Sequence, residues 1–155
     1  MFIIDTNILA SEILVKYEQD ELTQKYRAFF QEVPLIKRVV PDFILNEFEL
    51  LMTQVVPSRY REQMNNEEKK ELKKVTSEYL EKIIGEYTLV SPSTQVIKRA
   101  YEFYRRFGHS HYISFTDSLL LATAADNGYT LITKDERVSA RAKELNIAFY
   151  EPQGE

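Results

Sequence analysis

The chain has 155 residues, enough to bury a sizeable core, and is expected to form one domain over 1–155. Its composition, 44% apolar and 28% charged, is that of an ordinary globular protein, and the absence of cysteine excludes disulfides, zinc–thiolate centres and cysteine nucleophiles together. A net charge of −4 argues against holding nucleic acid by bulk phosphate neutralisation, unless a divalent cation or a local basic patch offsets the acids.

The apolar start Phe2–Ile4 is too short for a signal peptide or a membrane span, so a cytoplasmic protein without membrane attachment is expected. It reads as a buried strand ending at Asp5. Ile8–Leu14 begins a helix, and Tyr26, Phe29 and Phe30 continue it or form a second one before Pro34. Arg38–Val40 is the second strand-like run. After Pro41, Asp42 is placed to cap a helix in which Phe43, Ile44, Phe48, Leu51 and Met52 keep a 3–4 spacing. The stretch 57–74 is polar and carries both charge signs; it reads as a solvated helix, a projecting insertion or a mobile lid, with order returning by about Val75. Thr88–Val90 is a third strand. Ile97, Ala100, Tyr101, Tyr104 and Phe107 then share a helix face, with Lys98, Arg99, Arg105 and Arg106 between them. Leu119–Ala125 is apolar nearly all round and reads as a buried helix opened by Asp117, with Ser114 or Thr116 as its cap. Asp126, Asn127 and Gly128 stop it before a fourth strand, Thr130–Thr133. Ile147–Tyr150 is the fifth run.

Strands alternating with helices predict an α/β fold with a parallel sheet covered on both faces. Right-handed crossovers then gather the strand C-termini on one edge. Asp5 and Asp135 fall at that edge, Asp117 reaches it from a helix start, and Glu47 lies on or near the buried face of its helix, where Glu49 points elsewhere. Carboxylates crowded into one cleft raise one another's pKa unless a cation intervenes. All-oxygen acidic donors suit Mg²⁺ or Mn²⁺, which can activate water against a phosphodiester. The residues therefore point to metal-assisted phosphodiester hydrolysis. Lys98, Arg99, Arg105 and Arg106 are candidate phosphate contacts or simply a solvated helix face. His109 and His111, in GHSHYISF, read as part of a polar loop more readily than as a metal pair. Most of the ten tyrosines and nine phenylalanines are expected in core or interface.

In order, FIIDTNIL, Glu47 in the second αβ unit, TDSLLLATAADNGYTLITKD and a last short strand resemble the PIN-domain family of ribonucleases over essentially the whole chain. The resemblance implies a three-layer α/β/α fold, a five-stranded parallel sheet of order 3-2-1-4-5, and one or two Mg²⁺ or Mn²⁺ ions. It also implies cleavage of single-stranded RNA, commonly by toxins paired with an antitoxin protein, and frequent homodimers. By position, Asp5, Glu47, Asp117 and Asp135 match the family's acidic quartet, and Asn7 and Thr133 match its supporting polar positions. The polar stretch near 57–74 departs from a compact toxin of the family. Two other readings compete: a non-catalytic module of the same fold that offers the acidic cleft to a partner, and phosphotransfer through an aspartyl nucleophile at Asp5. Asn7, standing where a second acid would be expected, weighs against the latter.

Overall fold

The structure is a computed structural model and describes residues 1–153; Gly154 and Glu155 lie outside the described residues. It begins with strand β1 (Phe2–Ile4), helices α1 (Thr6–Ile13) and α2 (Glu21–Glu32), strand β2 (Arg38–Pro41) and helix α3 (Asp42–Leu50). A wide π-helical turn (Leu51–Val55) joins α3 to α4 (Val56–Arg59), and α5 (Asn66–Glu86) leads to β3 (Thr88–Val90). The remainder is α6 (Thr94–His111), α7 (Phe115–Asn127), β4 (Thr130–Ile132) and α8 (Glu136–Glu144).

Among the described residues, four parallel strands form a sheet in the order β3-β2-β1-β4, with Ile3 opposite both Val39 and Leu131. Ile3, Ile4, Val39, Val40, Leu131 and Ile132 are fully buried, as strands covered on both faces require. Right-handed crossovers place α1 to α5 on one face and α6 to α8 on the other. The packing agrees: α1 meets α2 and α3, whereas α6 packs on α7 and α7 on α8.

The expected fifth strand is instead a single bridge, Leu131 to Phe149, on the outer side of β4. Leu131 donates to Ala148 O at 2.8 Å, and Tyr150 donates to Leu131 O at 2.8 Å. Forward, this parallel ladder can gain one bond, Thr133 N–H to Tyr150 O, before it needs an N–H from residue 152, which is proline. Backward it can gain one, Ala148 N–H to Tyr129 O, before it needs the N–H of Tyr129, already committed to Ala124 O at 3.0 Å. Backbone chemistry therefore keeps the run short at both ends.

Residues 66–86 form one helix, so the solvated-helix reading of the polar stretch holds from Asn66 and order is in place well before Val75. The reason is a capping box: Asn65 accepts from Glu68 N–H at 2.8 Å, and the Glu68 carboxylate reaches back to Asn65 N–H. Asp42 is the first residue of α3 and not its cap, which is Pro41; its carboxylate instead accepts from Phe43 N–H and from the Ser91 hydroxyl.

Arg38 ties one side of this architecture together. It is buried, donates to Val33 O (2.9 Å), Phe30 O (2.9 Å) and the Tyr87 hydroxyl (2.7 Å), and lies 4.1 Å from the centre of the Phe30 ring. The guanidinium thus satisfies carbonyls at the end of α2 while holding β2 and the approach to β3. Arg38→Lys should lower stability by about 2 kcal/mol, because a single ammonium cannot span the same acceptors. Urea unfolding followed by circular dichroism measures it.

Candidate active site

Three helix N-termini meet at the carboxyl edge of the sheet, and each carries one of the acids. Asp5 is the N-cap of α1, where β1 ends. Asp135 is the N-cap of α8, three residues beyond β4. Asp117 is the third residue of α7, in a capping box whose cap is Ser114: Asp117 N–H donates to Ser114 Oγ at 3.0 Å, and Ser114 N–H donates to the Asp117 carboxylate at 3.0 Å. Polar side chains at helix starts satisfy otherwise unpaired N–H groups, and the helix dipole favours negative charge there.

Asp5 is almost wholly buried, at 5% exposure. One carboxylate oxygen accepts from Thr6 N–H at 2.7 Å; the other accepts from Thr133 Oγ1 at 2.6 Å and from Asn7 Nδ2 at 3.4 Å. Asn7 also donates to Thr133 Oγ1 at 3.3 Å and accepts from Lys134 N–H at 3.0 Å, so it fixes the turn after β4. Glu47 accepts a short hydrogen bond from the Thr6 hydroxyl. Glu49 instead accepts from Thr53 within its own helix and does not line the cleft. Asp135 accepts from Nε and Nη2 of Arg137 at 3.2 and 3.1 Å.

The electrostatics follow from burial. Removal from water pushes the Asp5 carboxyl up to about 7; the nearby Asp117 and Glu47 charges push the same way, against the hydrogen bonds from Thr133 and Thr6. Asp117 is also raised, first by burial and then by Asp135, while Ser114 and Arg137 counteract. Metal-free, the cleft resists full ionisation.

These acids line a cleft of about 800 Å³. One wall runs along α1 from Asp5 past Ala10 to Leu14, a length of roughly 14 Å at 1.5 Å per residue, and ends at Tyr17. The other wall is a helical stripe of Phe43, Asn46, Glu47, Leu50 and Leu51, continued by Val55 and Arg59. The π-turn sets this continuation. Val56 N–H bonds to Leu51 O, five residues back, and the extra residue brings Val55 and Arg59 to the cleft where an unbroken α-helix would present 54 and 58. Pro57 supplies the cause: it has no N–H for the carbonyl of Thr53, and its ring crowds that carbonyl in a regular helix.

The structure thus brings together Asp5, Glu47, Asp117, Asp135 and Asn7 along the cleft, with Thr133 holding Asp5 from behind. It does not bring Lys98, Arg99, Arg105 or Arg106 to the cleft lining; they lie on α6, where Arg106 pairs with Glu144 at 3.2 Å. His109 and His111 occupy the last turn of α6 rather than a loop, are exposed, and also stand outside the lining. Sequence reasoning missed Thr6, which holds Glu47, and Arg137, which holds Asp135. It also missed the ion pair of Lys134 with Glu18 at 2.6 Å inside the cleft. Only Lys134 carried a signal, its place between Thr133 and Asp135.

Four carboxylates offering oxygen alone, one of them buried and driven toward its neutral form, suit a hard divalent cation chemically. As placed, Asp117 and Asp135 are turned to Ser114 and Arg137, and among the described residues no three acidic or histidine side chains converge on one ion position. The fit is therefore one of donor chemistry and charge.

Fold and cleft define an α/β protein with an acidic site at the carboxyl edge of a parallel sheet. The sequence profile of the PIN domain matches residues 2–144, and the chain belongs to that family. No curated protein sequence matches the chain. Among solved structures, FitAcB from Neisseria gonorrhoeae is similar with a TM-score of 0.66 and 18% identity, covering 98% of each chain. Mycobacterium tuberculosis VapC20, described as a sarcin-ricin loop cleaving toxin, is similar with a TM-score of 0.64 and 15% identity over 91% of this chain and 95% of that one. A toxin-antitoxin complex from Klebsiella pneumoniae aligns over 100% of both chains at 15% identity and a TM-score of 0.61. At these identities the likeness is one of fold.

A raised carboxyl pKa means that the folded state binds the proton more tightly than the unfolded chain. The stability this gives is complete below about pH 4 and is lost as pH rises through about 7. Without divalent metal, thermal unfolding should show falling stability across that window. Asp5→Asn should flatten the profile and gain on the order of 3 kcal/mol at pH 8. Calorimetry at several pH values in EDTA checks this.

Proposed function

We propose that this chain is a Mg²⁺- or Mn²⁺-dependent endoribonuclease that hydrolyses phosphodiester bonds of single-stranded RNA and acts as the toxin partner of an antitoxin protein. The observation that carries the reading is the meeting of Asp5, Glu47, Asp117 and Asp135, from four separate segments, at one cleft in a PIN-domain chain. Asp5, Asp117 and Asp135 would hold the metal, with Glu47 binding directly or through water. The bound ion would polarise a phosphoryl oxygen and lower the pKa of an attacking water.

The chain's own residues would hold that constellation ready. Thr133 and the Thr6 amide aim the Asp5 carboxylate, the Thr6 hydroxyl fixes Glu47, and Asn7 locks the turn from which Asp135 projects. Such supporting hydrogen bonds orient ligands and set their basicity. The three helix N-termini add partial positive charge where a phosphate would approach. The antitoxin partner is inferred from toxin-antitoxin assemblies of the same fold. A homodimer in the cytoplasm completes the reading, and no helix among the described residues is long and apolar enough to cross a membrane.

The competing reading is a non-catalytic module that offers the cleft to a partner. The outward pairing of Asp117 with Ser114 and of Asp135 with Arg137 favours it. Calorimetric titration with Mn²⁺ separates the two, since the nuclease should bind the ion specifically and the module should not.

Asp5→Asn and Asp117→Asn should each reduce Mn²⁺-dependent cleavage of a labelled single-stranded RNA roughly 100-fold or more, with the circular dichroism spectrum retained. Glu47→Gln should impair cleavage, whereas Glu49→Gln should leave it unchanged. Undiminished cleavage in both aspartate variants would remove the acids from the chemistry.

A further inference from the structure

Six carboxylates line the cleft, those of Asp5, Glu18, Asp20, Glu47, Asp117 and Asp135, against two cations, Arg59 and Lys134. Even with a divalent ion bound, a nucleic-acid phosphate entering this cleft needs positive charge beside the acids. Arg59 stands twelve residues beyond Glu47 along the same helical run, roughly 18 Å away. Lys134 is different. It sits between Thr133 and Asp135, and its N–H is pinned to Asn7 Oδ1 at 3.0 Å, which fixes its backbone next to Asp5.

The Lys134 ammonium is bound to Glu18 at 2.6 Å, with side-chain exposures of 20% and 15%. A clamp for the segment after α1 is the plain alternative, yet that segment is already held by other bonds. The buried Arg27 donates to Ser11 O at 2.9 Å and to the backbone carbonyl of Glu18 itself at 3.0 Å. The Tyr17 hydroxyl donates to Glu68 at 2.9 Å. The position of Glu18 therefore does not depend on its carboxylate. A poorly hydrated ion pair of this kind adds little net stability, because desolvation offsets the attraction.

We propose that Lys134 is the phosphate-binding cation of the cleft and that Glu18 is its resting counter-ion, displaced when an RNA phosphate binds. The inference rests on the nuclease reading and adds to it the residue that grips the strand beside the acids. The exchange makes and breaks no covalent bond: the ammonium keeps its charge and trades a carboxylate for a phosphate oxygen. Until that exchange, Glu18 competes with substrate for the cleft-lining cation placed next to Asp5.

The two partners give the test its sign. Affinity for a fluorescein-labelled single-stranded RNA is read by anisotropy in Ca²⁺ and as KM for cleavage in Mn²⁺. Lys134→Met should weaken binding about tenfold and make the slope of log K against log salt shallower by about 0.7. Lys134→Arg should keep most of the affinity. Glu18→Gln should tighten binding about threefold, because the competing charge is gone. A purely structural clamp would make Lys134→Met and Glu18→Gln change affinity in the same direction. That outcome, or indifference to both variants, in a wild type that still cleaves RNA overturns the role of Lys134 and leaves the nuclease reading standing. A wild type that neither binds nor cleaves single-stranded RNA overturns both.

Discussion

A carboxylate with almost no access to water sits where β1 gives way to α1, and the rest of the site is arranged around keeping it there. Asp5 is joined to Thr133, 128 positions later in the chain, by one short hydrogen bond. That bond can exist only because β1 and β4 lie side by side in register, with Ile4 opposite Ile132. The sheet pairing thus becomes a chemical arrangement: the strand ends align, and the side chains that follow them meet. Asn7 extends the link by holding the turn that carries Lys134 and Asp135. Disturbing the β1–β4 pairing would therefore disturb the site and the core together.

The helices contribute as much through their ends as through their faces. Asp5, Asp117 and Asp135 each occupy the first turn or cap of a helix, where otherwise unpaired N–H groups donate to their carboxylates. The same groups that stabilise the folded helices therefore hold the acids of the cleft. This double duty explains how so much negative charge is tolerated at one edge. One carboxylate can thus serve the helix it opens and the cleft it lines. Glu47 stands apart, in mid-helix, and owes its position to the hydroxyl of Thr6.

The strands were legible because each is a short apolar run ended by a polar or turn residue, and β1 to β4 lie where those runs predict. The fifth was curtailed by a feature that hydrophobic pattern does not carry: the N–H groups that a longer ladder needs are missing at Pro152 and already used at Tyr129. The choice of Glu47 over Glu49 was legible from helical spacing, since only one of the two faces the cleft. The early start of α5 was hidden because its first turns are polar on all sides, and the local capping of Asn65 by Glu68 decides it. The π-turn was hidden as well. A proline in a helical pattern signals a break, and the chain answered with one wide turn that preserves the helix and shifts its face by a residue. Lys134 with Glu18 was beyond reach from sequence, since the partners lie 116 positions apart and neither belongs to an apolar pattern.

The single bridge of Phe149 to β4 has a consequence that concerns the protein's neighbours rather than its site. The side of β4 away from β1 would be an open sheet edge, a template on which another chain could add a strand. A run that is bridged once covers that edge at Leu131 and is itself too short to offer much of a ladder to join. The curtailed fifth strand thus works as a guard against intermolecular pairing at the border of the sheet that carries the acidic cleft.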